Sequence, residues 1–284
     1  HILTTIEDAI GIITIDRPQR LNSLDVETAR DLRRAGIGFA RDAKIRAVVL
    51  RGTNGIFCSG ADLKYIKSGG DEADLGYLTN HTRPTPSQPP TDQPPTGYGP
   101  IFKQILEYIH STISEIRRAP KPFLAAVDGV AAAGGFGLAM SCDLVVASER
   151  TWFEWAYAKT GLTGAESSTF FLPRLIGLRR ALEMLFLNPR IDAAKALEWG
   201  LVTRVVPTAT FDDEVMAIAR QLASLPTEAV GVAKELMNAA AGMERLDMHL
   251  DREIEHLARI ADGANFAEGI DAFFAKRSPE FSDR

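Results

Sequence analysis

The chain has 284 residues, 32 basic and 37 acidic side chains and a formal charge of −5; apolar residues make up 45% and charged residues 24%, an ordinary globular mix long enough to bury a core without staples. No block of like charges offers a footprint for nucleic acid or for an anionic membrane surface, so neither is expected as a partner, and an anionic ligand must be held by a local basic cluster. Cys58 and Cys142 stand far apart without a CxxC or His-rich motif, which signals neither a disulfide framework nor a metal site and fits a reducing, cytoplasmic setting. The longest nearly uncharged stretch, residues 130–142, is too short to span a bilayer and is interrupted by glycines, and His1-Ile2-Leu3 has no signal-like pattern.

In chain order, residues 3–6 and 11–16 alternate as two strands of a hairpin. A helix-period stretch over 26–41 follows, with Ser23 or Asp25 as its N-cap. The apolar run 46–52 closes on a glycine, as does 123–129, and each reads as a strand buried on both faces. Repeated strand, turn and helix units with helices outside are therefore expected, an α/β class. Residues 84–100 hold seven of the fifteen prolines, a density that neither helix nor sheet tolerates, and mark a surface excursion over 68–100 between two core units. A helix at 101–118 precedes the second strand unit; beyond Pro207 only helical patterns remain, at 211–225, 227–242, 247–262 and 265–276. This divides the chain into a core, 1–206, and a helical C-terminal region, 207–284.

Two segments share a chemistry. Phe57-Cys58-Ser59-Gly60-Ala61-Asp62-Leu63-Lys64 follows one buried strand, and Gly129 through Gly134, Gly135 and Gly137 to Asp143 follows the other. Small residues at such turns let backbone N–H groups approach a ligand, and two donors from adjacent turns form an oxyanion hole. The same glycines also suit tight strand-to-helix packing, and the pattern alone does not choose.

Together with FFLPRLIGLRRALEML, LEWGLVTRVVP and the terminal AFFAKRSPEF, these segments resemble the crotonase superfamily of enoyl-CoA hydratases and isomerases over residues 3–281. The resemblance implies a spiral of ββα units with a C-terminal helical trimerisation region, a homotrimer or dimer of trimers, and an acyl-CoA substrate. Coenzyme A enters as part of that substrate, with no separate cofactor and no metal. It also implies oxyanion donors at Ala61 and Gly134, an adenine pocket lined by Lys64 and Ile66, and a CoA contact by Phe273 and Lys276 reaching from an adjacent subunit.

The two glutamates of a hydratase would align with Gly137 and Tyr157, so both are missing here. Hydration needs a base for water and an acid for the α-carbon. In isomerase-like and dehalogenase-like branches the catalytic aspartate aligns with Ala165, and Glu166 stands one position later. Burial among small and apolar residues would raise its pKa towards an acid/base range; its alternative role is to cap the helix starting near Ser167. Tyr157 is expected either to wall the acyl pocket or to donate to substrate, and Trp152 and Trp155 share that ambiguity. Strand alternation would point Glu154 away from Tyr157. Asp62 and Asp143 read as structural braces, His110 as a partly buried structural histidine, and His81 as exposed. The expected activity is double-bond isomerisation with one carboxylate, Glu166. A hydratase with atypical acid/base residues, an acyl-CoA hydrolase or dehalogenase, and a silent acyl-CoA-binding protein are the alternatives.

Overall fold

The computed structural model describes residues 1–71, 74 and 97–282, so most of the expected 68–100 excursion, His81 included, lies outside the described residues. Strands β1 (Ile2–Glu7) and β2 (Ile10–Ile15) form the expected hairpin, paired from Ile2↔Ile15 to Glu7↔Ile10. Helix α1 is Val26–Arg41 as its periodicity indicates, and Asp25 rather than Ser23 caps it, accepting from Thr28 N at 2.8 Å.

Three units then repeat: β3 (Ala47–Gly52), β4 (Ile56–Cys58) and α2 (Leu63–Lys67); after α3 (Gly99–Arg118), β5 (Phe123–Val127), β6 (Val130–Ala132) and α4 (Gly134–Ser141); and β7 (Leu144–Ser148), β8 (Trp152–Glu154) and α5 (Ser168–Ile176). The chain continues through α6 (Leu178–Leu187), β9 (Ile191–Asp192), α7 (Ala193–Trp199) and β10 (Arg204–Val206), and closes with α8 (Phe211–Ser224), α9 (Thr227–Ala240), α10 (Leu246–Ala261) and α11 (Ala264–Ala275). The first strand of each unit enters a six-stranded sheet, β1-β2-β3-β5-β7-β10, and the second enters a four-stranded sheet, β4-β6-β8-β9. All neighbours are parallel except β1–β2 and β8–β9, which is the expected spiral of ββα units.

The corner between the sheets explains the glycines that close the apolar runs. At Gly129 φ is +75°, and a Cβ there would lie 1.9 Å from the Gly55 carbonyl oxygen; at Gly52 it would lie 2.0 Å from that of Ile56. Only a residue without a side chain lets the backbone cross from one sheet to the other. Phe57, Phe136 and Phe153 fill the space behind the small sheet, fully buried. On the other face of the large sheet, Ile10, Val49, Leu124 and Val146 pack under Phe211, Val215 and Ala219 of α8. Cover on both faces is why these strands read as continuous apolar runs. Helix α10 lies against α3, and α11 returns to the turn at Tyr157–Thr160, where a Cβ on Gly269 would stand 2.5 Å from Thr160 O.

Candidate active site

A cavity of about 800 Å³ opens between these elements, lined among others by Ala61, Lys64, Ala133, Tyr157, Glu166 and Phe273. Its polar floor begins at the two turns marked in the sequence. The bridge between Leu24 and Ala61 uses Leu24 N to Gly60 O and Asp62 N to Leu24 O, both 2.8 Å, which leaves the Ala61 N–H without an acceptor among the described residues. Gly134 opens α4, where amides have no helical partner, and no acceptor among the described residues takes its N–H. The two turns abut: a Cβ on Gly60 would lie 3.0 Å from Gly134 N. Ala133, just before it, holds φ +45° and ψ −119°, a conformation costing about 1–3 kcal/mol that the surrounding strands enforce. Two free N–H groups at adjoining turns can bind a carbonyl oxygen that gains negative charge.

Asp62 braces the first turn as expected. It caps α2 by accepting from Lys64 N and Tyr65 N at 3.1 and 3.0 Å, and it pairs with Arg20 at 2.6 Å and buried Arg17 at 3.2 Å. Arg17 also pairs with Asp25, tying α2 to α1. Asp143 is likewise structural, held by Arg117 and Lys234 and accepting from Phe123 N.

Glu166 stands over the second turn. Its side chain is buried, and a Cβ on Gly134 would lie 2.7 Å from Oε1, so the carboxyl rests against the start of α4. Burial, reinforced by the charge of Glu253 and opposed by the Tyr157 hydroxyl, pushes its pKa up to about 7. Tyr157 donates to Glu166 Oε2 and lies 3.2 Å from Ala165 O. Tyr157 thus lines the cavity, as a wall residue would, and its hydroxyl also holds the Glu166 carboxyl. Burial, and then Glu166, keep the phenol well above its ordinary pKa, so it remains a donor.

The position of Glu166 also accounts for Gly137. A Cβ at residue 137 would lie 2.2 Å from Glu166 O and 3.0 Å from its Cβ. The Glu166 loop therefore occupies the space that a glutamate at 137 would need.

The capping alternative for Glu166 is overturned, because another carboxylate fills that role. Glu253 of α10, buried, accepts from Ser167 N at 2.8 Å and Thr169 N at 3.1 Å, and from the Thr169 hydroxyl. Glu166 and Ser167 have φ +49° and +62°, left-handed conformations that cost about 1–2 kcal/mol each for residues with side chains. His110 is buried as expected, yet its Nε2 accepts from Glu166 N at 3.2 Å, and burial lowers its pKa to about 4, keeping the imidazole neutral and able to accept. Neither link was assigned from sequence, although a signal existed: Glu253 falls on the apolar stripe of Leu246, Leu250 and Leu257, and His110 on that of Ile105, Ile109 and Ile113.

The structure also places the remaining residues named from the sequence. Ile66 does not line the cavity; it is fully buried, because the inner face of α2 packs into the core, whereas Lys64 does reach the cavity wall. Phe273 lines the cavity of its own chain, since α11 folds back on the Tyr157–Thr160 turn; Lys276 is the exposed left-handed C-cap of α11 and is not on that wall. Glu154 does not turn away: it lines the same cavity, paired with Lys159 and with Arg190 at 3.3 Å, because the left-handed Ala156 (φ +63°) breaks strand alternation before Tyr157. Among the described residues no cluster of His, Cys, Asp and Glu is arranged to hold a metal. No helix among them is long and apolar enough to cross a membrane.

The sequence matches the Enoyl-CoA hydratase/isomerase family over residues 5–82 and 103–284. It is 32% identical to a 1,2-epoxyphenylacetyl-CoA isomerase of Escherichia coli (strain K12), covering 100% of this chain and 98% of the relative. To a 4-chlorobenzoyl coenzyme A dehalogenase of Arthrobacter it is 30% identical, covering 97% and 91%. The crystal structure of an enoyl-CoA hydratase from Mycobacterium avium subsp. paratuberculosis K-10 superposes with a TM-score of 0.82 at 30% identity, over 99% of this chain and 98% of that one. In sequence and in fold, the chain belongs to the enoyl-CoA hydratase/isomerase, or crotonase, family of acyl-CoA-processing enzymes.

Proposed function

We propose that the chain is an acyl-CoA isomerase that moves a double bond through an enolate, with Glu166 as its proton carrier. The observation that carries this reading is a buried carboxyl set against Gly134 with a pKa near 7. The thioester oxygen would accept from Ala61 and Gly134 N–H. Ionised Glu166 takes a proton from one carbon, and the C–H electron pair passes into the enolate, whose charge the two amides hold. Protonated Glu166 then returns the proton to another carbon. A group that titrates near neutrality serves both steps, because neither form is scarce. Hydration with paired carboxylates is less well supported: residue 137 has no room for one, and residue 157 is a tyrosine.

The isomerase name of the 32% identical relative agrees with this reading. The dehalogenase name of the Arthrobacter relative favours, as a second reading, Glu166 attacking the acyl group as a nucleophile. Lys64 and Phe273 would contact the CoA portion within the chain, and Lys276 that of a neighbouring subunit. A homotrimer or dimer of trimers is proposed with it, supported by exposed Leu178, Leu182, Phe186 and Leu187 around α6 and Val232, Leu236 and Met237 on α9, and measurable by light scattering. Two buried free cysteines accord with a cytoplasmic setting.

The test is mass spectrometry of enoyl, saturated, aryl-acetyl and halo-aryl CoA thioesters incubated with the protein in D2O. Isomerisation with α- or γ-deuterium uptake, reduced about 10²–10⁴-fold in Glu166→Gln, is the expected result. Loss of halide would establish the second reading. Water addition undiminished in Glu166→Gln, or no change in any thioester, would overturn both.

A further inference from the structure

The first turn of α5 cannot cap itself. Ser167, at its N-cap, is left-handed and makes no capping bond with its own side chain. The amides of the turn are instead taken up from outside it. Glu166 N donates to His110 of α3, Ser167 N and Thr169 N donate to Glu253 of α10, and Ser168 N returns to Ala165 O. The Thr169 hydroxyl meets both Glu253 and His249 Nε2, the latter at 2.7 Å. A residue 87 positions further along the chain than Glu166 thus anchors the loop that carries the carboxyl.

We propose that Glu253 is a positioning residue for Glu166: from the C-terminal helix α10, its buried carboxylate pins the amides of Ser167 and Thr169 and so fixes the left-handed turn that sets the Glu166 carboxyl against Gly134. This rests on the reading of Glu166 as the proton carrier. Helix α10 is then part of the active-site framework, in addition to whatever it contributes to assembly.

The same geometry sets the charge around Glu166. Tyr157, neutral, donates to it; His110, neutral, accepts its amide; Cys58 of β4, its thiol pushed up to about 12 by burial, is uncharged; the N-terminal end of α4 faces it with positive polarity. Glu253 is ionised: burial works against the charge, but His249 at 3.6 Å, the Thr169 hydroxyl and Ser167 N carry its pKa below the ordinary value. Its negative charge adds to burial in disfavouring a second charge on Glu166.

Glu253→Gln keeps the shape and one acceptor oxygen and removes the charge. Two quantities are followed in the full-length protein: the acid limb of kcat/KM, and the infrared band of protonated Glu166, identified by its absence in Glu166→Gln. Expected are a fall of about one pH unit in both midpoints and a loss of roughly tenfold or more in kcat, with the KM for the thioester changed much less. A folded Glu253→Gln protein with wild-type midpoints and kcat would overturn the proposal and leave Glu253 a helix cap only. Should the variant not fold, hydrogen exchange in the unaltered protein decides: the amides of Ser167 and Thr169 must be as protected as those of the buried strands, and exchange at surface-loop rates overturns the proposal. Turnover retained in Glu166→Gln would end the proton-carrier reading, while the infrared midpoint would still report the hold of Glu253 on that carboxyl.

Discussion

Replacing Glu166 by Gln tests the buried carboxyl without any substrate. Its pKa rises from an ordinary 4.5 to about 7 in the folded chain, chiefly through burial. Between those values the folded state binds the proton that the unfolded chain has released, so stability contributed by the protonated form is complete below pH 4.5 and is lost as pH rises to about 7. A shift of this size, at 1.36 kcal/mol per pH unit, corresponds to about 3 kcal/mol. Glutamine keeps the volume and an acceptor for the Tyr157 hydroxyl but cannot ionise. The variant should therefore match the wild type within about 1 kcal/mol at pH 4.5 and exceed it by about 3 kcal/mol at pH 8. Urea unfolding at a series of pH values, at constant protein concentration, measures the difference. His110, whose lowered pKa makes stability fall on the acid side between 6.5 and about 4, contributes equally to both proteins and cancels. Parallel stability curves for the two proteins across this range would refute the reasoning, since they would mean that Glu166 is solvated in solution.

Tyr157→Phe removes the hydrogen bond that favours ionised Glu166, so the acid limb of the pH–rate profile should move upward by about one unit, with kcat at neutral pH reduced about fivefold. An unmoved limb would show that the phenol does not hold the carboxyl in solution. Gly137→Ala should cost about 1–3 kcal/mol in chemical denaturation and reduce turnover, because the new methyl group meets the Glu166 carbonyl; a variant of wild-type stability and activity would show that the loop yields easily.

Local pattern carried much of the architecture into the sequence. The continuous apolar runs at 46–52 and 123–129 announced strands covered on both faces, and the 3.6-residue period announced α1 and all four C-terminal helices within one or two residues of their ends. These depend on neighbours in the chain and on the requirement that apolar faces be buried, so residue order suffices to find them. The glycines at the two turns beside the cavity were legible for a related reason: contacts as close as that between Gly60 and Gly134 exclude any larger residue.

What the sequence left open was the work done by side chains that meet across the fold. Whether Glu166 caps its own helix or faces the cavity depends on Glu253, which takes the capping bonds from α10. Whether Tyr157 serves as wall or donor depends on where the left-handed Glu166 aims its carboxyl. Ile66 and Lys64 were expected to share one pocket, but they lie on opposite demands of a single helical turn, one buried in the core and one on the cavity wall. Residue order determined which strands and helices form, because their burial and hydrogen bonding are largely local and periodic. The tertiary structure alone decided which carboxylate caps α5 and which faces the cavity, because that choice is made by hydrogen bonds between residues tens of positions apart, competing for the same few buried amides.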